Sequence, residues 1–149
     1  MKRRLTPKQL LPVALITALV ALFYALYRLF FPPKPLRPEH INITGATPST
    51  DELELKDDFN RPAKIFKVNA GKTIQWLVNT NKVKDIKNIY KKTKSDDVFI
   101  SGPNRIGSSR NWQGTIDPGA RGKCEDYNIE WIDQSGHLHT YDPLIQVNP

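Results

Sequence analysis

The chain has 149 residues, with 22 Lys and Arg against 15 Asp and Glu, one Cys, one Met and a formal charge of +7 at pH 7. That charge does not describe a nucleic-acid-binding surface, because seven bases (Lys2, Arg3, Arg4, Lys8, Arg28, Lys34 and Arg37) precede the first acid, Glu39, and the 15 bases that remain equal the acids in number. A nucleic-acid module needs its basic excess on the folded surface, so composition excludes that class, and a single cysteine excludes an intramolecular disulfide.

Residues 1–9, MKRRLTPKQ, form a short basic tail. The stretch LLPVALITALVALFYALY then runs 18 residues without a charge and continues as LFF after Arg28. That is about the 20-residue length that crosses a bilayer core. The sequence therefore predicts one transmembrane helix over residues 10–31, an uncleaved signal anchor. The competing reading is a cleavable signal peptide, which needs a shorter apolar run and small residues at its exit, where FYALYRLFF is bulky. The basic flank is denser on the N-terminal side. It assigns the tail to the cytoplasm and the remainder to the extracytoplasmic side, the periplasm if the host is bacterial. Arg28, Lys34 and Arg37 on the other flank keep the reverse orientation open. Tyr24, Tyr27, Phe30 and Phe31 suit an interfacial aromatic belt.

Pro32, Pro33, Pro35 and Pro38 follow at once. Proline fixes φ and removes donors, so residues 32–40 read as a stiff linker. Residues 41–149 are then enough for one domain with one core. Within them EHINIT, DELELKD, AKIFKVNAGKTIQWLVNT (two runs around the turn NAG), VFISG, WQGTI, DYNIEWID and HTYDPLIQVNP carry strand patterning, and NAGK, SGPN, DPGARG and DQSG carry turn chemistry. Short strands with turns about every ten residues predict an all-β, antiparallel β-sandwich. In KVKDIKNIYKK, Val83, Ile86 and Tyr90 recur at helical spacing, which leaves a helical turn or a strand open there.

Two surface stretches are candidate partner contacts. Lys82, Lys84, Lys87, Lys91 and Lys92 make a basic run opposed only by Asp85, read either as a lysine edge that blocks sheet-to-sheet pairing or as a dock for an acidic partner. Arg105, Arg110 and Trp112 lie in a glycine-containing loop, and Arg and Trp are the residue types that anchor interfaces. Asn42-Ile43-Thr44 is a glycosylation sequon in a eukaryotic host only.

FKVNAGKTIQWLVNT resembles the cupredoxin stretch that leads to the first metal ligand, and YNIEWIDQSGHLHTYDPLIQVNP resembles the ligand loop and closing strand of that family. The resemblance implies a Greek-key β-sandwich with its functional loops at one end. The blue-copper ligands are missing. No histidine follows WLVNT, Trp131 stands where the family has Cys, and Met1 is the only methionine. Cys124 is expected on the order of 20 Å from His137, too far to share a metal, and as a lone thiol it is either buried or an intermolecular partner. His137 and His139, at i and i+2, are weak metal candidates that supply half of a tetrahedral site. No nucleophile, metalloprotease or phosphate-loop motif occurs, so neither a catalytic residue nor a cofactor is expected. The sequence predicts a single-pass membrane protein that binds or supports other membrane or envelope proteins. The alternative is a metal or electron carrier using His137 and His139.

Overall fold

The computed structural model describes residues 19–24, 26, 27 and 37–149. The chain divides into two units, Met1–Pro35 and Leu36–Pro149. In the first, residues 19–24, 26 and 27 are helical. The tail, most of the anchor expected over 10–31 and the linker as far as residue 36 lie outside the described residues. Among those described, no helix is long and apolar enough to cross a membrane.

The second unit is built from ten strands: β1 (Glu39–Thr47), β2 (Glu52–Lys56), β3 (Ile65–Val68), β4 (Thr73–Val78), β5 (Val83–Lys91), β6 (Phe99–Arg105), β7 (Trp112–Ile116), β8 (Cys124–Asp133), β9 (Leu138–Tyr141) and β10 (Leu144–Val147). One sheet has the order β2-β1-β4-β7-β6; the other runs β3-β10-β8-β5, with β9 also paired to β8. The all-β expectation holds, but neither sheet is purely antiparallel. β1 pairs β4 in parallel, and β10 pairs β3 in parallel. In both cases the chain leaves for the opposite sheet and returns, so neighbours in one sheet are not neighbours in sequence.

Alternation sets the inner faces. β4 buries Ile74, Trp76 and Val78, and β1 buries Ile41 and Ile43 from the same sheet. β8 faces them with Tyr127, Ile129 and Trp131, all completely buried. These residues form a single core cluster with Val68, Ile86, Ile116 and Ile145. At its centre Trp76 Nε1 donates to Tyr127 Oη at 3.1 Å, and the rings meet edge-on with centroids 5.8 Å apart. Each large side chain buried this way contributes about 1.5–3 kcal/mol, and the shared hydrogen bond removes the penalty of sealing two polar atoms in the core.

The ambiguous stretch is a strand, and its helical spacing has a local cause. β5 buries Val83, Ile86 and Ile89, every third residue. Its pairing with β8 slips between Val83 and Asp85 and again between Ile86 and Asn88. Each bulge adds a residue and reverses the face on which the next side chain falls. Two bulges thus turn a period of two into a period of three.

Candidate functional site

β8 turns into β9 through Asp133-Gln134-Ser135-Gly136. The amide of Asp133 donates to the His137 carbonyl at 3.1 Å, the amide of Gly136 to the Asp133 carbonyl at 3.2 Å, and Gly136 takes φ +91°. This is hairpin geometry that glycine alone adopts freely. One register runs through the hairpin, pairing Ile132 with Leu138 and Trp131 with His139. After an interruption at Asp142 and Pro143, the same register resumes with Asp126 paired to Leu144 on β10.

Cross-strand pairing therefore places the imidazole of His139 on the indole of Trp131, with centroids 4.3 Å apart and planes 23° apart. The ring lies between two carboxylates. Nδ1 donates to Asp51 Oδ1 at 2.6 Å, and Nε2 donates to Asp133 Oδ2 at 3.3 Å. Asp51 comes from the other sheet. It ends the Pro48–Thr50 turn between β1 and β2 in left-handed conformation, φ 57°, and its carbonyl accepts Trp131 Nε1 at 3.4 Å. Protonated, the ring donates to both carboxylates at once as an imidazolium. The hydrogen bond to Asp51, joined by that to Asp133, holds the His139 pKa above its ordinary value. For Asp133, burial pushes the carboxyl up, but hydrogen bonds from the His137 amide and the His139 ring outweigh it and hold the group at about 2.

His137 differs from its neighbour. Its side chain is 77 % exposed, and Nδ1 stands 3.5 Å from Asp133 Oδ2. The two candidate histidines thus meet the same carboxylate, one from the core side and one from solvent. Metal binding would require His139 to surrender a proton and at least one carboxylate. Among the described residues no three His, Cys, Asp or Glu side chains converge in a metal-binding group. Cys124 starts β8 and is half-buried rather than fully enclosed. Asp133 ends that strand, nine residues on, which is roughly 30 Å away.

Beside the histidine cluster opens a cavity of about 390 Å³, lined by Ala46, Thr47, Pro48, Lys82, Gln134 and Ser135 together with Asp133. Lys82 is the only one of the five candidate lysines on this wall. Lys84 and Lys87 are exposed and fall at the two β5 bulges, on the outer edge of their sheet. Lys91 pairs Asp97 at 2.6 Å, and Lys92 pairs Asp142.

Arg110 and Trp112 are turned to internal use. Trp112 is buried on the inner face of β7. The Arg110 guanidinium donates to the carbonyls of Thr80 and Val83. Arg105 grips both oxygens of Asp85, at 2.7 and 3.0 Å, donates to the Ile86 carbonyl and lies 5.6 Å from the Trp112 ring. Both arginines reach from the β6–β7 hairpin of one sheet to β5 of the other, so they fasten that side of the sandwich.

Two carboxylates that motif reasoning passed over have a readable signal. Inward parity along CEDYNIEWID includes Glu125 and Asp133, the two buried charged side chains among the described residues. Their environments oppose each other. Burial pushes the Glu125 carboxyl up against the single amide of Val98, which donates to it at 2.9 Å, whereas several donors hold Asp133 down. The sequon residue Asn42 lies within β1, and its side-chain oxygen accepts from Asn79 Nδ2 at 2.8 Å. Neither a protein-family model nor a curated protein matches this sequence.

Proposed function

We propose that the chain is a membrane-anchored, extracytoplasmic binding or structural protein, an accessory component of a membrane or envelope assembly. Residues 10–31 serve as the anchor with the N-terminus in the cytoplasm, and the proline-rich linker joins it to a domain whose first strand already begins at Glu39. The domain is a cupredoxin-like Greek-key sandwich that has lost its copper ligands. The uninterrupted apolar run supports the anchor, and two β-sheets enclosing one apolar core support a sandwich of this kind.

The observation that carries a structural over a redox role is the state of His139. Both of its nitrogens are engaged by carboxylates, and its ring is stacked on a buried indole. Such a ring fastens two sheets together, and while it is protonated it has no lone pair to offer a metal. Calorimetric titration of the full chain in detergent with Cu(II) and Zn(II) at pH 7 tests this. The expected result is no binding tighter than that of a His137→Ala, His139→Ala double variant. Tight binding lost in the double variant restores the carrier reading.

A further inference from the structure

The loop between β2 and β3 holds an aromatic ring out into solvent on a rigid mount. Asp57 Oδ1 accepts the amides of Phe59 and Arg61, each at 2.9 Å, while Oδ2 accepts Arg61 Nε at 2.6 Å. The backbone closes on itself as well, with the Asp57 amide on the Arg61 carbonyl at 2.9 Å and the Asn60 amide on the Asp57 carbonyl at 3.0 Å. Asn60 takes the left-handed φ of 62° that this tight loop requires. The result is a Phe59 ring that is 78 % exposed, with the Arg61 guanidinium 5.0 Å from its centroid. His40 adds a tie to β1 through Asp58 at 2.8 Å.

A single exposed apolar side chain is ordinary on a protein surface. Three further observations distinguish this one. Ile65, 59 % exposed, stands on the same side, in a cleft whose walls share Asp57, Arg61, Phe66 and Lys67 with the cleft beneath Phe59. The larger of these clefts, about 600 Å³, carries the bases Arg37, Lys67 and Lys72 against the acid Glu39, while its other acids are already paired, Asp57 with Arg61 and Asp58 with His40. Finally, Arg37, Pro38 and Glu39, the residues by which the chain enters the domain, line the same cleft.

We propose that the Phe59 loop is a membrane foot, seating Phe59 and Ile65 at the lipid–water interface with Arg37 and Lys67 among the headgroup phosphates. This rests on the reading of residues 10–31 as an anchor. Residues 32–38 reach at most roughly 25 Å, so a bilayer that holds the anchor is within range of the face by which the chain enters the domain. Aromatic rings favour the interface, where an apolar body meets a wet rim. Basic side chains beside such a ring add attraction to anionic lipid. A foot of this kind fixes the orientation of the sandwich, presenting the β5 edge and the histidine end to partners in a constant direction.

The test uses the full chain reconstituted into vesicles of brominated phosphatidylcholine and phosphatidylglycerol. The three native tryptophans are buried in the sandwich, so Phe59→Trp adds a fluorophore at the loop with little change in shape, and Val20→Trp reports the anchor in parallel. The expected result is that the added emission in both variants is blue-shifted and lost to brominated lipid, while wild-type emission changes little. Asp57→Ala, which unfastens the loop, diminishes the quenching at Phe59→Trp. Quenching at Val20→Trp with a water-exposed Phe59→Trp overturns the foot and leaves the anchor standing. A water-exposed Val20→Trp overturns the anchor reading itself. Protection of Phe59→Trp only in native membranes, with photo-crosslinking from position 59 to a protein, reassigns the loop to a protein contact.

Discussion

Asp51, in the turn that joins two strands of one sheet, and His139, on β9 of the other, are 88 residues apart in sequence and 2.6 Å apart in space. Their contact, with Asp133 on the other ring nitrogen, closes the end of the domain by charge where the apolar core stops. The opposite end of the same inward row finishes in Glu125, a carboxyl that burial pushes towards its neutral form. One strand, β8, therefore ends its buried face in an ionised acid at one side and a reluctant one at the other.

Folding raises the pKa of His139, so the stability it contributes is complete below the ordinary value of 6.5 and is lost as pH rises through the higher folded value. Asp133 has the opposite sign. Its contribution is complete above the ordinary 3.8 and disappears as pH falls towards about 2. Urea midpoints measured between pH 5 and pH 9 should fall on the alkaline side for the wild type. His139→Gln should be less stable at pH 5 and nearly level across that range.

Tyr127→Phe leaves Trp76 Nε1 sealed in the core without its acceptor. The expected loss is about 1–3 kcal/mol in equilibrium unfolding. The lost hydroxyl has no exposed role, so binding measurements on the variant should be unaffected once it is folded.

Arg105 holds Asp85 through two parallel hydrogen bonds, a geometry that lysine cannot reproduce. Arg105→Ala should lower stability by about 1–2 kcal/mol, discounted for a side chain that remains partly exposed. Arg105→Lys should recover little of it. Denaturant midpoints of the two variants, compared with Asp85→Asn, make the check.

Lys84 and Lys87 sit on the bulged outer edge of the second sheet. Exposed edges are templates for another strand, and lysines at bulges discourage that pairing. Replacing both with valine should change the unfolding free energy by no more than about 0.5 kcal/mol. It should produce self-association in sedimentation velocity at concentrations where the wild type is uniform.

Most of the strands could be read from alternation, because each has one face on a common core: IQWLV and YNIEWID place Trp76, Tyr127 and Trp131 inward by counting in twos. The same counting reaches Glu125 and Asp133, which motif reasoning passed over because neither belongs to a named constellation. β5 gave no single answer, since its two bulges imitate the spacing of a helix. The parallel pairings were out of reach, because each joins strands separated by a visit to the other sheet. Asp51 was out of reach for the same reason: nothing local marks a turn residue as the partner of a histidine 88 positions away. Arg110 and Trp112 had the composition of an interface anchor, and the β5 carbonyls and the core claimed them.

The most direct measurement is extraction of the tagged full-length protein from its native membrane in mild detergent, followed by sizing and identification of what travels with it. The proposed function predicts that the protein resists alkaline washing, requires detergent, and elutes with a companion in fixed ratio. Release without detergent, or a lone protein with no companion, would contradict it.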